Sequence, residues 1–113
     1  MTPFEALEEK YGLQDVADST REDLESHYFP SAMGKVTEAY IRLIPHDDNE
    51  FFTIAADFST KKKISESAAE EIADTVADKF YELLQSAVSE DEVDMIRGFH
   101  DGTSIYINNE QVY

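Results

Sequence analysis

The side chains with most chemistry to offer in this sequence are carboxylates, and they recur at a helical spacing. Glu66, Glu70, Asp74, Asp78 and Glu82 follow one another at intervals of four, and Glu90, Asp91 and Glu92 continue beyond them. Residues four apart on a helix stand one above the other, so the spacing draws a winding line of negative charge that rises about 6 Å per step. Over residues 64–94, ten acids accompany a single cation, Lys79. The chemistry of such a line is electrostatic: it attracts cations and repels anions. It also destabilises its own helix. Like charges at this spacing repel by roughly 0.2–0.5 kcal/mol per pair, so the four pairs cost about 1–2 kcal/mol in low salt. The positive end of the helix offsets part of this for Glu66, Glu70 and Glu71, but Asp78 and Glu82 lie beyond its reach.

The whole chain repeats the bias. Its 113 residues hold 25 Asp and Glu against 9 Lys and Arg, a formal net charge of −16. A small domain stays soluble with far less, and the excess adds self-repulsion. The sign excludes partner classes. Nucleic-acid binders need a basic face to displace counterions from phosphates, and an anionic membrane surface attracts basic segments. Here the one basic cluster is Lys61-Lys62-Lys63. Neither direct nucleic-acid binding nor membrane association is expected.

Catalytic chemistry is sparse by comparison. The absence of cysteine excludes disulfides and thiolate metal ligands. The four glycines never fall within three residues of each other, so no phosphate-cradling loop is present. His27, His46 and His100 each sit near a helix end or turn without a motif, which reads as three exposed loop histidines. His46 with Asp48, and His100 with Asp101, are the best available pairs of a base and an orienting carboxylate, and both depend on the fold to join them. The run His46-Asp47-Asp48-Asn49-Glu50 lacks the alternating ligands and the glycine of a calcium loop, and its composition is that of a turn. No catalytic residue, metal ligand or cofactor is assigned, and the chain is not expected to be an enzyme.

The elements that must position these residues are legible in outline. One domain spanning residues 1–113 fits the length, and 42% hydrophobic and 12% aromatic residues argue for a packed core despite the charge. Thr2, Pro3 and Glu5 announce a first helix, with Phe4, Leu7 and Tyr11 on one face and Gly12 as its stop. A second helix is expected from Ser19, or from Asp15, through Leu24 and Tyr28 to Pro30. Residues 35–44 and 50–58 alternate as strands, with Ala39, Ile41 and Leu43 on one face of the first and Phe52, Ile54, Ala56 and Phe58 on one face of the second. Residues 45–49 join them as an antiparallel hairpin.

Residues 66–88 form the longest helix, capped by Ser65 or Ser67, the latter with Glu70. Its apolar row is Ile72, Val76, Phe80, Leu84 and Val88, flanked by Ala69, Ala73 and Ala77. After it, Ser89 and Glu92 read as a capping box for a short helix ending at Gly98. The alternative is a strand over 93–99 turning at Asp101-Gly102. Thr103–Ile107 is a strand in either case, and Asn108-Asn109 turns it into a last strand at Val112-Tyr113. The fold class is α+β: two short N-terminal helices, a hairpin, the long acidic helix packed on the sheet, and one or two closing strands. Phe51, Tyr40 and Tyr106 point away from the core rows and form an exposed aromatic patch unless the N-terminal helices cover them, which is the expectation here.

No segment has the character of a signal peptide or a membrane span, so a cytoplasmic protein is expected. Two readings of the acidic row follow: a solvated polar face, or a surface that imitates a nucleic-acid backbone and complements a basic partner. The second leads to a non-enzymatic inhibitor, such as an immunity protein for a nuclease toxin or other nucleic-acid-processing protein. Its contact residues would be Glu66, Glu70, Asp74, Asp78, Glu82, Glu90, Asp91 and Glu92. A small phage or bacterial assembly subunit, or a secretion-chaperone-like protein, is the alternative, and would show an exposed apolar patch. The sequence leaves the oligomeric state open.

Overall fold

The computed structural model describes residues 3–25, 28–29, 34–35, 39–46, 51–59 and 65–113. The chain opens with α1 (Pro3–Tyr11) and α2 (Leu13–Glu25), separated by Gly12 alone. Gly12 ends one helix and begins the next. Its φ of 61° is the left-handed conformation that glycine adopts without strain. Its N–H donates to Glu8 O at 2.8 Å, and its own carbonyl accepts from Asp15 and Val16 at 3.0 and 3.2 Å. This is why α2 starts six residues before Ser19 and also ahead of Asp15. Leu13, Val16, Ala17, Thr20 and Leu24 form its buried stripe, and the Thr20 hydroxyl is satisfied by Val16 O at 2.8 Å. The far end differs too: α2 stops at Glu25, and Tyr28 belongs to a strand. The Thr2 cap and the Pro30 stop lie outside the described residues.

Strands β1 (Tyr28–Phe29) and β2 (Gly34–Lys35) pair antiparallel as a two-residue ladder. The main sheet contains β3 (Ala39–His46), β4 (Phe51–Phe58), β5 (His100–Ile107) and β6 (Glu110–Gln111), in that spatial order. β3 and β4 form the expected antiparallel hairpin, from Ala39 opposite Phe58 to His46 opposite Phe51. Pro45 and His46 belong to β3 rather than to the turn, because an edge strand tolerates a residue without an N–H. The outer side of β3 is closed by α2: Arg21 Nε donates to Ala39 O at 2.8 Å, and Gln14 Nε2 reaches Ile41 O at 3.5 Å.

Two helices connect β4 to β5: α3 (Glu66–Ala87) and α4 (Glu90–Phe99). The Ser65 hydroxyl caps α3 by accepting from Ala68 N at 3.2 Å. Ser67 lies inside the helix and is not its cap. Ser89 and Glu92 close the expected capping box of α4, which settles residues 90–99 as helix and continues one residue past Gly98. The crossover brings β5 in parallel to β4, so Asp101-Gly102 is no hairpin turn. Instead Gly102, at φ 82°, sits where the register slips, two residues of β5, Asp101 and Gly102, opposing the single Thr53 of β4 between the pairs Phe52–His100 and Ile54–Thr103. Asn108 and Asn109 both take positive φ, as a tight primed turn requires. They lead into β6 at Glu110–Gln111, two residues earlier than Val112-Tyr113.

The core is one cluster. Leu7 of α1, Leu13 and Leu24 of α2, Ile72, Val76, Phe80 and Leu84 of α3, and Val93 and Ile96 of α4 all join the inward row Phe52, Ile54, Ala56 and Phe58 of the sheet. The N-terminal helices therefore pack on the same side as α3. The helices cover Phe51, Tyr40 and Tyr106 only at the margins: the Arg21 guanidinium of α2 lies 4.9 Å from the Tyr40 ring centroid, Phe99 of α4 packs on Phe51 with centroids 6.4 Å apart, and Phe51 and Tyr106 are half-buried. Tyr40 is 49% exposed.

Candidate partner-binding surface

α3 places its carboxylates because of what it buries. Ala68, Ala69, Ile72, Ala73, Val76, Phe80, Tyr81 and Leu84 turn inward, and Glu66, Glu70, Asp74, Asp78 and Glu82 are left exposed on the far side. Among the described residues none of these five forms an ion pair. Glu90 and Asp91 are exposed in the first turn of α4. Glu92 differs from the other seven. Its carboxylate accepts from Ser89 N at 3.3 Å and Ser89 Oγ at 2.9 Å. Hydrogen bonds from Ser89 and from the Tyr11 hydroxyl, with Lys10 nearby, hold it below the usual carboxylate range. Its charge is committed to capping α4 and tying it to α1.

The acidic row is one part of a larger imbalance. The four helices together carry 18 acids and 4 cations, a net −14 of the chain's −16. Within the helices the ion pair Arg21–Glu25, at 3.2 Å, joins two partly exposed side chains. The open side of the sheet is different. Arg42 and Asp57 pair through two contacts of 2.8 and 3.3 Å, and the Arg42 guanidinium lies 5.5 Å from the Tyr106 ring centroid.

At one end of the sheet the structure gathers the histidines. His46 Nε2 lies 3.4 Å from Asp101 Oδ2, so Asp101 partners His46 rather than its neighbour His100. Asp48 and His27 lie outside the described residues. His100 is no exposed loop histidine. It stacks on Phe52 with ring centroids 5.4 Å apart, its Nδ1 is 2.8 Å from Tyr81 Oη, and its Nε2 is 2.7 Å from Gly102 O. A carbonyl oxygen only accepts, so Nε2 carries the proton and Nδ1 accepts from the tyrosine. Burial disfavours the imidazolium and lowers the pKa of His100. It also pushes Tyr81 up to about 12, opposed in part by the Arg97 guanidinium 3.9 Å over its ring.

Sequence reasoning missed this network, although Tyr81 continues the inward row Ala69, Ala73 and Ala77 at the same spacing. Both ring nitrogens of His100 are engaged, which makes it a fixed strut rather than a base with a free site. Among the described residues no group of three or more His, Asp or Glu is arranged to hold a metal ion, and no helix is long and apolar enough to cross a membrane. Comparison of the chain with protein-family models, with curated proteins and with solved structures finds no match.

Proposed function

We propose that this chain is a non-enzymatic binding protein whose acidic helices neutralise a basic partner, a nuclease toxin or another nucleic-acid-processing protein for which it acts as immunity protein or inhibitor. The observation that carries this reading is the concentration of −14 on four helices, with the exposed row Glu66, Glu70, Asp74, Asp78 and Glu82 forming no ion pair among the described residues. A soluble fold does not need that charge and loses stability by it. A basic cleft shaped for a phosphate backbone is its natural complement. The contact surface is Glu66, Glu70, Asp74, Asp78 and Glu82 with Glu90 and Asp91, while Glu92 serves mainly as a cap. In such a complex the charge accelerates encounter and rejects acidic competitors more than it adds affinity.

The test is kinetic. The partner to try is a basic nuclease or other nucleic-acid-processing protein, sought first among the products of neighbouring genes, purified and mixed with this chain at rising salt. As screening shortens toward ~8 Å at physiological ionic strength, the association rate should fall by about an order of magnitude or more. A rate that stays flat across that range removes the reading. The runner-up, a small assembly subunit or secretion-chaperone-like protein, draws its support from the open sheet face with its exposed Tyr40. Light scattering that finds a stable dimer closed through that face would favour it.

A further inference from the structure

A cleft of about 260 Å³ opens between the α1–α2 turn and the end of α3, lined by Tyr11, Gly12, Asp15, Val16, Ser19, Leu83 and Ala87. From it we infer where the basic partner places an anchoring residue: the cleft seats one arginine or lysine side chain. This inference rests on the binding-protein reading above and specifies its recognition element.

Four observations point to an elongated cation. The cleft is smaller than the roughly 300–1,000 Å³ of pockets for drug-sized ligands, so it suits a single side chain. Its floor, Val16 with Leu83 and Ala87, is aliphatic and matches a methylene stem, which long basic side chains lay against apolar surface. On its rim the exposed Asp15 carboxylate makes no hydrogen bond or ion pair with any described residue, and the Ser19 hydroxyl stands one turn further along α2.

The fourth observation is the helix end itself. α3 terminates at this cleft with the negative pole of its dipole, has no basic residue in its last turn, and turns back only the Val88 N–H onto Leu84 O. Among the described cations, Lys10 lies over the Tyr11 ring at 5.2 Å and Lys79 stands one turn before Leu83, and neither lines the cleft. The Tyr11 hydroxyl lies toward Glu92, whose carboxyl it helps to hold below the usual range. A head group entering over Asp15 meets a carboxylate, a hydroxyl and a helix C-terminus together, a set that favours a cation and disfavours a neutral or anionic group.

The probe is Nα-acetyl-arginine N-methylamide, with the citrulline counterpart as an uncharged control of nearly the same shape, each titrated against the isotope-labelled protein by NMR. The arginine probe should shift the amides of Gly12, Asp15, Ser19 and Ala87 saturably, and the citrulline probe should not. Asp15→Asn and Ala87→Phe, the latter filling the cleft from an exposed helix end, should each weaken the probe about tenfold. In complex with the partner, Ala87→Phe should speed dissociation and leave the association rate and its salt dependence unchanged. Shifts spread along Glu70–Glu82, equal binding of citrulline, or full partner affinity in Ala87→Phe would each overturn the cleft assignment while the charge-steered reading stands. A salt-indifferent association rate in the unmodified protein would instead sink the broader reading, and the partner anchor with it, whatever the probe does.

Discussion

The two sides of this molecule solve the problem of surface charge in opposite ways. On the helical side carboxylates accumulate without matching cations, and the chain accepts repulsion of about 1–2 kcal/mol along α3 alone. On the open side of the sheet Arg42 is matched by Asp57, and the Asp101 carboxylate lies against the His46 ring. One chain under one solubility requirement makes both surfaces. Solubility alone therefore does not account for the helical side, since balanced pairs were available to this sequence and were used elsewhere. The contrast supports the proposal that the acids of the helices meet a basic partner outside the molecule.

The sharpest way to break the comparison is to neutralise one side at a time. Replacing Asp74 and Asp78 with Asn, and Glu82 with Gln, removes three charges from an exposed row. The association rate with the basic partner should drop by about tenfold at low salt. The melting temperature should hold or rise, because the repulsion between these residues is relieved. Unchanged binding in that triple variant would reduce the row to a solvated face. The matching change on the sheet, Arg42→Gln with Asp57→Asn, deletes an exposed pair and should cost stability only about 0–1 kcal/mol, with no effect on association. A loss of partner binding there would move the interface to the sheet.

The largest effect on stability is expected at the His100 network, which joins α3 to the sheet. His100→Gln strands the buried Tyr81 hydroxyl and should destabilise the fold by about 1–3 kcal/mol in denaturant titration near neutral pH. Its pH signature is separable from that of the carboxylates. The folded-state pKa of His100 lies below its ordinary 6.5, so the unfolded chain takes up the proton first. The stabilisation is complete above pH 6.5 and declines as pH falls through and below that value. Protonating the carboxylates of the acidic row would relieve repulsion instead. Stability should thus dip on mild acidification in the unmodified protein and lose that dip in His100→Gln. A dip that persists in the variant would assign it to another group.

What could be read from the sequence divides along physical lines. The acid row of α3, its apolar row and the β3–β4 hairpin were legible because each is a local periodicity, and a period of 3.6 or 2 survives without tertiary context. The start of α2 was not, since Gly12 reads equally as a stop and as a pivot; only its φ of 61° shows that the chain re-enters a helix at once. The parallel pairing of β5 was hidden for another reason. Strand direction is decided by what the crossover of α3 and α4 buries, and a plausible turn at Asp101-Gly102 competed with it. The pairing of His46 with Asp101 spans 55 positions and leaves no local trace. The exposure of the acid row follows from the apolar row; the anchor cleft required knowing which helix end meets which turn.

The closure of the β3 edge by Arg21 and Gln14 has a consequence for how this protein fails. Near its isoelectric point the mutual repulsion between copies vanishes, and many sheet proteins then add strands to one another along open edges. Here the backbone acceptors Ala39 O and Ile41 O already receive donors from α2, and neither donor loses its proton on acidification. Pro45 interrupts the rest of that edge. Acid precipitation of this chain should accordingly be amorphous and reversible on raising the pH, without fibrils that seed further growth.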